Sequence, residues 1–151
     1  MINVLVAQTW PRERRALVSK LSQDDKIQVI GFETGKDKLA ELFDAIRSQT
    51  SPFVVVSSQR GYRDNDTLGN KVHEMVCKTR FPSLTIIYAR AVGQSEHAQN
   101  IQAIQTTGIH AVGLVKKSMV SDNVVSGDAD LEHAEIAMKI AAFLASLSPA
   151  K

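Results

Sequence analysis

Cysteine occurs once in this chain, as Cys77, so no intrachain disulfide can form. Cys77 lies in an amphipathic stretch, where a thiol reads as structural rather than nucleophilic. Apolar residues make up 44% of the 151 residues, enough for a core that needs no disulfide or metal staple. Long apolar runs are missing as well. No stretch approaches the roughly 20 residues of a membrane span. The opening MINVLVAQTW lacks the basic region of a secretory signal. The expected location is the cytoplasm, with no membrane partner. Runs of base are missing too. The 18 Lys and Arg face 16 Asp and Glu, for a net charge of +2. The densest cluster, Arg12, Arg14 and Arg15, reads as a solvated helix face, and no nucleic-acid partner is expected.

Motifs that would announce a cofactor or an enzyme are also absent. No G-x-G-x-x-G or Walker A sequence follows the first apolar run, which excludes the usual dinucleotide and P-loop sites. G-x-S-x-G is missing, which removes an α/β-hydrolase nucleophile. His73, His97, His110 and His133 fall on four different segments without ligand spacing, and they read as surface or half-buried residues. Asp122, Asp128, Asp130 and Glu132 lack the alternation of a calcium loop, and suit the start of a helix instead. Neither a metal, a cofactor nor an enzymatic activity is expected.

What is present is a regular alternation. INVLVA (Ile2 to Ala7) is short, apolar and β-branched, the pattern of a strand buried on both faces of a parallel sheet. Thr9 offers a cap and Pro11 a first turn for a helix reaching about Ser22, with Leu17 and Leu21 on one face. The second strand is expected over Ile27 to Glu33, broken by Thr34 and Gly35. Leu39, Leu42, Phe43 and Ile46 then repeat at helical spacing. Pro52 to Ser58 carries the third strand, and a polar loop follows from Gln59 to Asp66. Leu68, Val72, Met75 and Val76 mark a third helix. Leu84 to Ala89 forms the fourth strand. A helix capped by Ser95, with Ala98, Ile101 and Ile104 inward, leads past Gly108 to a fifth strand, His110 to Val115. After a loop from Ser118 to Gly127, the last helix runs from about Asp130 to Leu147. Five strand–helix alternations without a linker predict one α/β domain over residues 1–151. Its sheet should be parallel, five-stranded and doubly wound in the order 2-1-3-4-5, with helices on both faces in three layers.

Ligands of such sheets bind beyond the carboxyl ends of the strands, where β1 and β3 part. Those ends hold Gln8 and Thr9, Ser58 and Gln59, Tyr88, Ala89 and Arg90, and Lys116 and Lys117. MINVLVAQTWPRERRAL, PFVVVSS and TTGIHAVGLVKKS resemble segments of response-regulator receiver domains, particularly those of chemotaxis methylesterases. The resemblance covers residues 1–117, with the last helix as the family's closing one. It implies a phosphoacceptor aspartate at Ser58, an acidic pair at Gln8 and Thr9, and a hydroxyl residue at Tyr88 or Ala89. Only the lysine after the fifth strand is kept, as Lys116, and Lys117 stands where the family has proline. Aspartyl phosphorylation needs a carboxylate nucleophile and Mg²⁺ held by anionic oxygen. Gln8, Thr9 and Ser58 supply neither, and no His or carboxylate falls at the strand ends to activate Ser58. A neutral to basic rim of Gln8, Thr9, Ser58, Gln59, Arg60, Arg90 and Lys116 replaces the acidic cup. It either receives a small anion, a nucleotide or an acidic segment, or is filled by its own hydrogen bonds.

In the last helix Ile136, Ile140, Phe143 and Leu147 form one apolar row, and Ala137, Ala141 and Leu144 form another. Two rows cover more than a single sheet contact requires. They read either as a partner surface, which the resemblance makes a homodimer face, or as a deeply packed terminal helix. The expected function is that of a pseudo-receiver, working in bacterial signalling by phosphorylation-independent protein contact. A small-anion or nucleotide sensor is the alternative, and a small flavodoxin-like enzyme a third.

Overall fold

A computed structural model describes residues 1–35, 38–59, 67–90, 104–117 and 127–147, with backbone alone for 89–90, 116–117 and 127–131. The strands are β1 (Ile2–Ala7), β2 (Ile27–Gly31), β3 (Phe53–Ser58), β4 (Ser83–Arg90) and β5 (His110–Lys117). The helices are α1 (Pro11–Leu21), α2 (Leu39–Arg47), α3 (Leu68–Val76) and α4 (Gly127–Leu147). All strand pairs are parallel and their order is β2-β1-β3-β4-β5, as the alternation predicts. The segment expected as a helix with Ser95, Ala98 and Ile101 lies outside the described residues, as do His97, Arg60 and Asp122. No described helix is long and apolar enough to cross a membrane.

The central strands are mostly apolar because both faces are covered. Alternation along each strand sorts their side chains into two cores. Val4, Val6, Val54, Val56, Leu84 and Ile86 point to one face, where Leu17 and Leu21 of α1 and Ile136 and Ile140 of α4 meet them. Leu5, Val55 and Phe53 point to the other, under Leu42 and Ile46 of α2 and Leu68, Val72 and Val76 of α3. The helical spacings at Leu39–Ile46 and Leu68–Val76 thus mark the buried faces. β2 ends at Gly31, two residues before the expected Glu33. As an edge strand it pairs only with β1, whose five paired residues run out at Val6 opposite Gly31. Gly108 serves the turn before β5, where φ is +57° and Thr107 and His110 exchange backbone hydrogen bonds.

The apolar row of α4 needs a correction. Ile136 and Ile140 are fully buried in the core beneath the sheet's α1 face, and Phe143, with Leu144 beside it, packs partly buried against the same cluster. Leu147 is half-buried at the helix end. A side chain consumed by the monomer's own core cannot present itself to a partner, so Ile136 and Ile140 are not a dimer face. Two apolar rows are needed here because α4 meets both the sheet and α1. Among the described side chains of α4, the exposed large apolar residue is Met138.

Candidate functional site

The end of β1 is tied into the first turn of α1. Gln8 is 2% exposed. Its Nε2 donates to Glu13 Oε2 at 3.1 Å, and its Oε1 accepts the Trp10 amide at 3.4 Å. The Gln8 carbonyl accepts from the Arg14 guanidinium at 3.0 Å. Pro11 takes the first helical position as its fixed φ favours. Thr9, however, is not the cap. Trp10 holds that position and makes no side-chain cap hydrogen bond. The Thr9 hydroxyl turns instead into the site, 2.9 Å from Ser58 Oγ, while Thr34 Oγ1 donates to it at 3.1 Å. The Thr9 amide adds a contact to Ser58 Oγ at 3.3 Å.

Three hydroxyls from three strand ends therefore form one connected cluster at the β1/β3 parting. Thr34 is 3% exposed and was read in the sequence only as a strand breaker. The register brings it there. Val6 pairs with Gly31, so Thr9 and Thr34 each lie three residues beyond a matched pair.

The β4 end contributes Tyr88. It pairs with Ser58 in register and lies in the α1/α4 core, 3% exposed. Its O–H donates to the Glu132 carboxylate of α4. Burial pushes the Tyr88 phenol far above its ordinary pKa, helped by the hydrogen bond and charge of Glu132 and by the charge of Glu13. Tyr88 thus keeps its proton at neutral pH and serves as a hydrogen-bond donor to Glu132. Two carboxylates therefore reach residues of the strand ends, Gln8 and Tyr88, without belonging to the strand ends themselves. Glu13 and Glu132 do so from helices, which reading the strands alone could not reveal. Among the described side chains this edge thus carries two carboxylates beside the neutral groups expected of the rim. The side chains of Ala89, Arg90 and Lys116, and the whole of Arg60, lie outside the described residues.

Gln59 was expected on the rim and is fully buried instead. Its amide donates to the Tyr88 carbonyl at 3.2 Å, and its carbonyl accepts the Leu68 amide at 3.0 Å. Its side-chain Nε2 donates to Asn70 Oδ1. Gln59 therefore seats the first turn of α3 on the end of β4.

A second polar group lies toward the start of β4 and β5. His73, His110 and His133 are all buried, against the expected surface or half-buried placement. His110 Nδ1 lies 2.8 Å from Ser83 Oγ. His73 Nε2 lies 3.0 Å from the Gln105 carbonyl, which can only accept, so Nε2 carries the proton. Nδ1 is then the acceptor for Thr85 Oγ1 at 3.0 Å. Cys77 Sγ is 3.4 Å from that protonated Nε2. The imidazole therefore has no lone pair to offer the thiol, and burial pushes the Cys77 pKa up. Cys77 and His73 have the proximity of a nucleophilic pair but the wrong proton arrangement.

Burial lowers the His73 pKa, the Gln105 hydrogen bond partly opposing and the charge of His110 adding to the fall. The unfolded chain, near pKa 6.5, then takes up this proton before the folded one. The stabilisation from neutral His73 is complete above that value. It is lost as pH falls through it toward the lower folded pKa. Urea unfolding from about pH 8 to about pH 5 should show a decline that His73→Gln flattens. An equal slope in both proteins would sink this assignment.

Among the described residues, no group of three or more His, Cys, Asp and Glu is placed to hold a metal ion. Comparison with family models, with curated proteins and with solved structures returns no match.

Proposed function

We propose that this chain is a receiver-like domain without aspartyl-phosphate chemistry, and that it acts in a signalling pathway through contact with another protein. One observation carries the first half. The positions that the receiver resemblance assigns to carboxylates hold Gln8, Thr9 and Ser58, and these side chains are already joined to Glu13, Thr34 and each other. Mg²⁺ gives up its water shell only to anionic or ideally placed oxygen. Hydroxyls bonded to one another offer neither the charge nor the open geometry. The Tyr88 phenol and the Gln8 amide are buried and taken up by Glu132 and α1, so this edge is not built to receive a small ligand, and protein contact elsewhere on the domain is the reading that remains. The sensor of small anions is disfavoured by the carboxylates of Glu13 and Glu132, whose field repels such a ligand.

Incubation with acetyl phosphate, or with beryllofluoride and Mg²⁺, tests the reading. The expected result is an unchanged mass and an unchanged emission from Trp10, the only tryptophan and the neighbour of Thr9. A hydroxylamine-labile phosphate adduct, or an emission change that requires Mg²⁺, overturns it.

A further inference from the structure

We infer that Trp10, Arg12 and Arg15 form a docking surface for an acidic segment of a partner protein, an inference that rests on the protein-contact reading above. Trp10 is 55% exposed although it is the largest side chain type in the protein. Its backbone is held from both sides. The amide donates to Gln8 Oε1 at 3.4 Å, the carbonyl accepts the Arg14 amide at 2.8 Å, and Pro11 follows. An aromatic on a fixed backbone gives large contact area at little entropic cost.

Arg12 and Arg15 are exposed beside it, and neither is in an ion pair among the described residues. Arg14, in contrast, is engaged with the Gln8 carbonyl, and Glu13 turns toward the Gln8 side chain. The one carboxylate of α1 is thus drawn toward the site while two guanidinium groups stand in solvent. α1 holds four of the chain's 18 basic residues and one of its 16 acids, which leaves the remainder slightly acidic. The protein's positive charge is in effect the charge of this one helix.

These residues also run against the stability of the helix that carries them. A helix start favours Ser, Thr, Asp or Asn at the cap and acids in the first turn. Glu13 meets the preference for an acid, but the cap is Trp10 without a cap hydrogen bond, and Arg12 stands in the same first turn at the positive end of the helix dipole. A local rule broken twice within one turn marks a place where another requirement prevails. Trp and Arg together are the pair most enriched among residues that dominate protein interfaces. Charge complementarity makes the partner segment acidic. The single aromatic and the acidic remainder of the chain disfavour a nucleic acid. The exposed residues that follow the arginines on α1, Ala16 and Ser19, are small and give a membrane nothing to receive.

The full chain can be titrated with a peptide of alternating glutamate and leucine while Trp10 emission is followed. A saturable blue shift that weakens with added salt is expected. Arg12→Glu with Arg15→Glu should lower the affinity by about tenfold or more. The same variant should unfold at a midpoint no lower than the wild type's, since acids replace cations at the helix start. That midpoint separates loss of contact from loss of fold. Flat emission, or undiminished affinity in the double variant, overturns the surface. So does an equal shift with a lysine–leucine peptide, with single-stranded DNA or with anionic phosphatidylserine vesicles. The acetyl phosphate result is independent of each of these outcomes, so failure of this surface is distinguishable from failure of the receiver-like reading.

Discussion

Ile136→Ala should lower the unfolding free energy by about 2–5 kcal/mol, the range for truncating a buried isoleucine. Ile136 is fully buried and packs in the cluster that joins β1, β3, β4, α1 and α4. Removing three carbons there leaves a cavity that strands on one side and α1 on the other cannot close. The loss should be the same at two protein concentrations tenfold or so apart, because the contacts broken lie within one chain. Met138, on the opposite side of the same helix and 71% exposed, supplies the control. Met138→Ala should stay within about 0.5 kcal/mol of the wild type. Urea titrations monitored by circular dichroism decide the matter. An Ile136→Ala midpoint that matches the wild type, or that moves with concentration, would return this row to a subunit interface.

Gly69→Ala should cost about 1–3 kcal/mol, even though alanine is the better helix former by roughly 1 kcal/mol. The reason is the close approach of α3 to the strand ends. A Cβ at position 69 would come against Gln59 Oε1 and within 3.0 Å of Ile87 Cδ1. Gln59 is not free to retreat, since its amide, carbonyl and side chain join β4, Leu68 and Asn70. The added methyl must therefore lift α3 or displace Gln59 from the edge of the site. Gly35 serves as the comparison, because a Cβ there meets nothing within 4 Å. A Gly69→Ala protein as stable as the wild type, or more so, would mean that Gln59 repacks freely and that the seat of α3 is soft.

Strand existence, sheet order and the inward faces of α1, α2 and α3 were all legible in the residue pattern. Val54, Val55 and Val56 can only be a strand covered on both sides, and Leu39, Leu42 and Ile46 can only share one side of a helix. The absence of carboxylates from the positions that end β1 and β3 was legible too, because Gln8, Thr9 and Ser58 follow directly from where those strands end. The companions of those residues were not. Thr34 meets Thr9 through the register of an edge strand, and Glu13 and Glu132 arrive from helices far apart in sequence. Nor did spacing disclose that Gln59 is buried, or that His73, Thr85 and Gln105 meet.

By itself the sequence determined the architecture and the lack of carboxylates at the strand ends. Both follow from local periodicity and from where apolar runs stop, and neither depends on distant contacts. Only the tertiary structure decided what took the place of the missing acids and whether α4 faces a partner or the core. Those outcomes depend on how elements pack. A hydroxyl such as Thr9 Oγ1 is a cap, a ligand or a cluster member according to which atoms of Ser58 and Thr34 lie within 3.1 Å of it. An apolar row is a core or an interface according to whether its own chain already covers it, and the sheet and α1 cover Ile136 and Ile140.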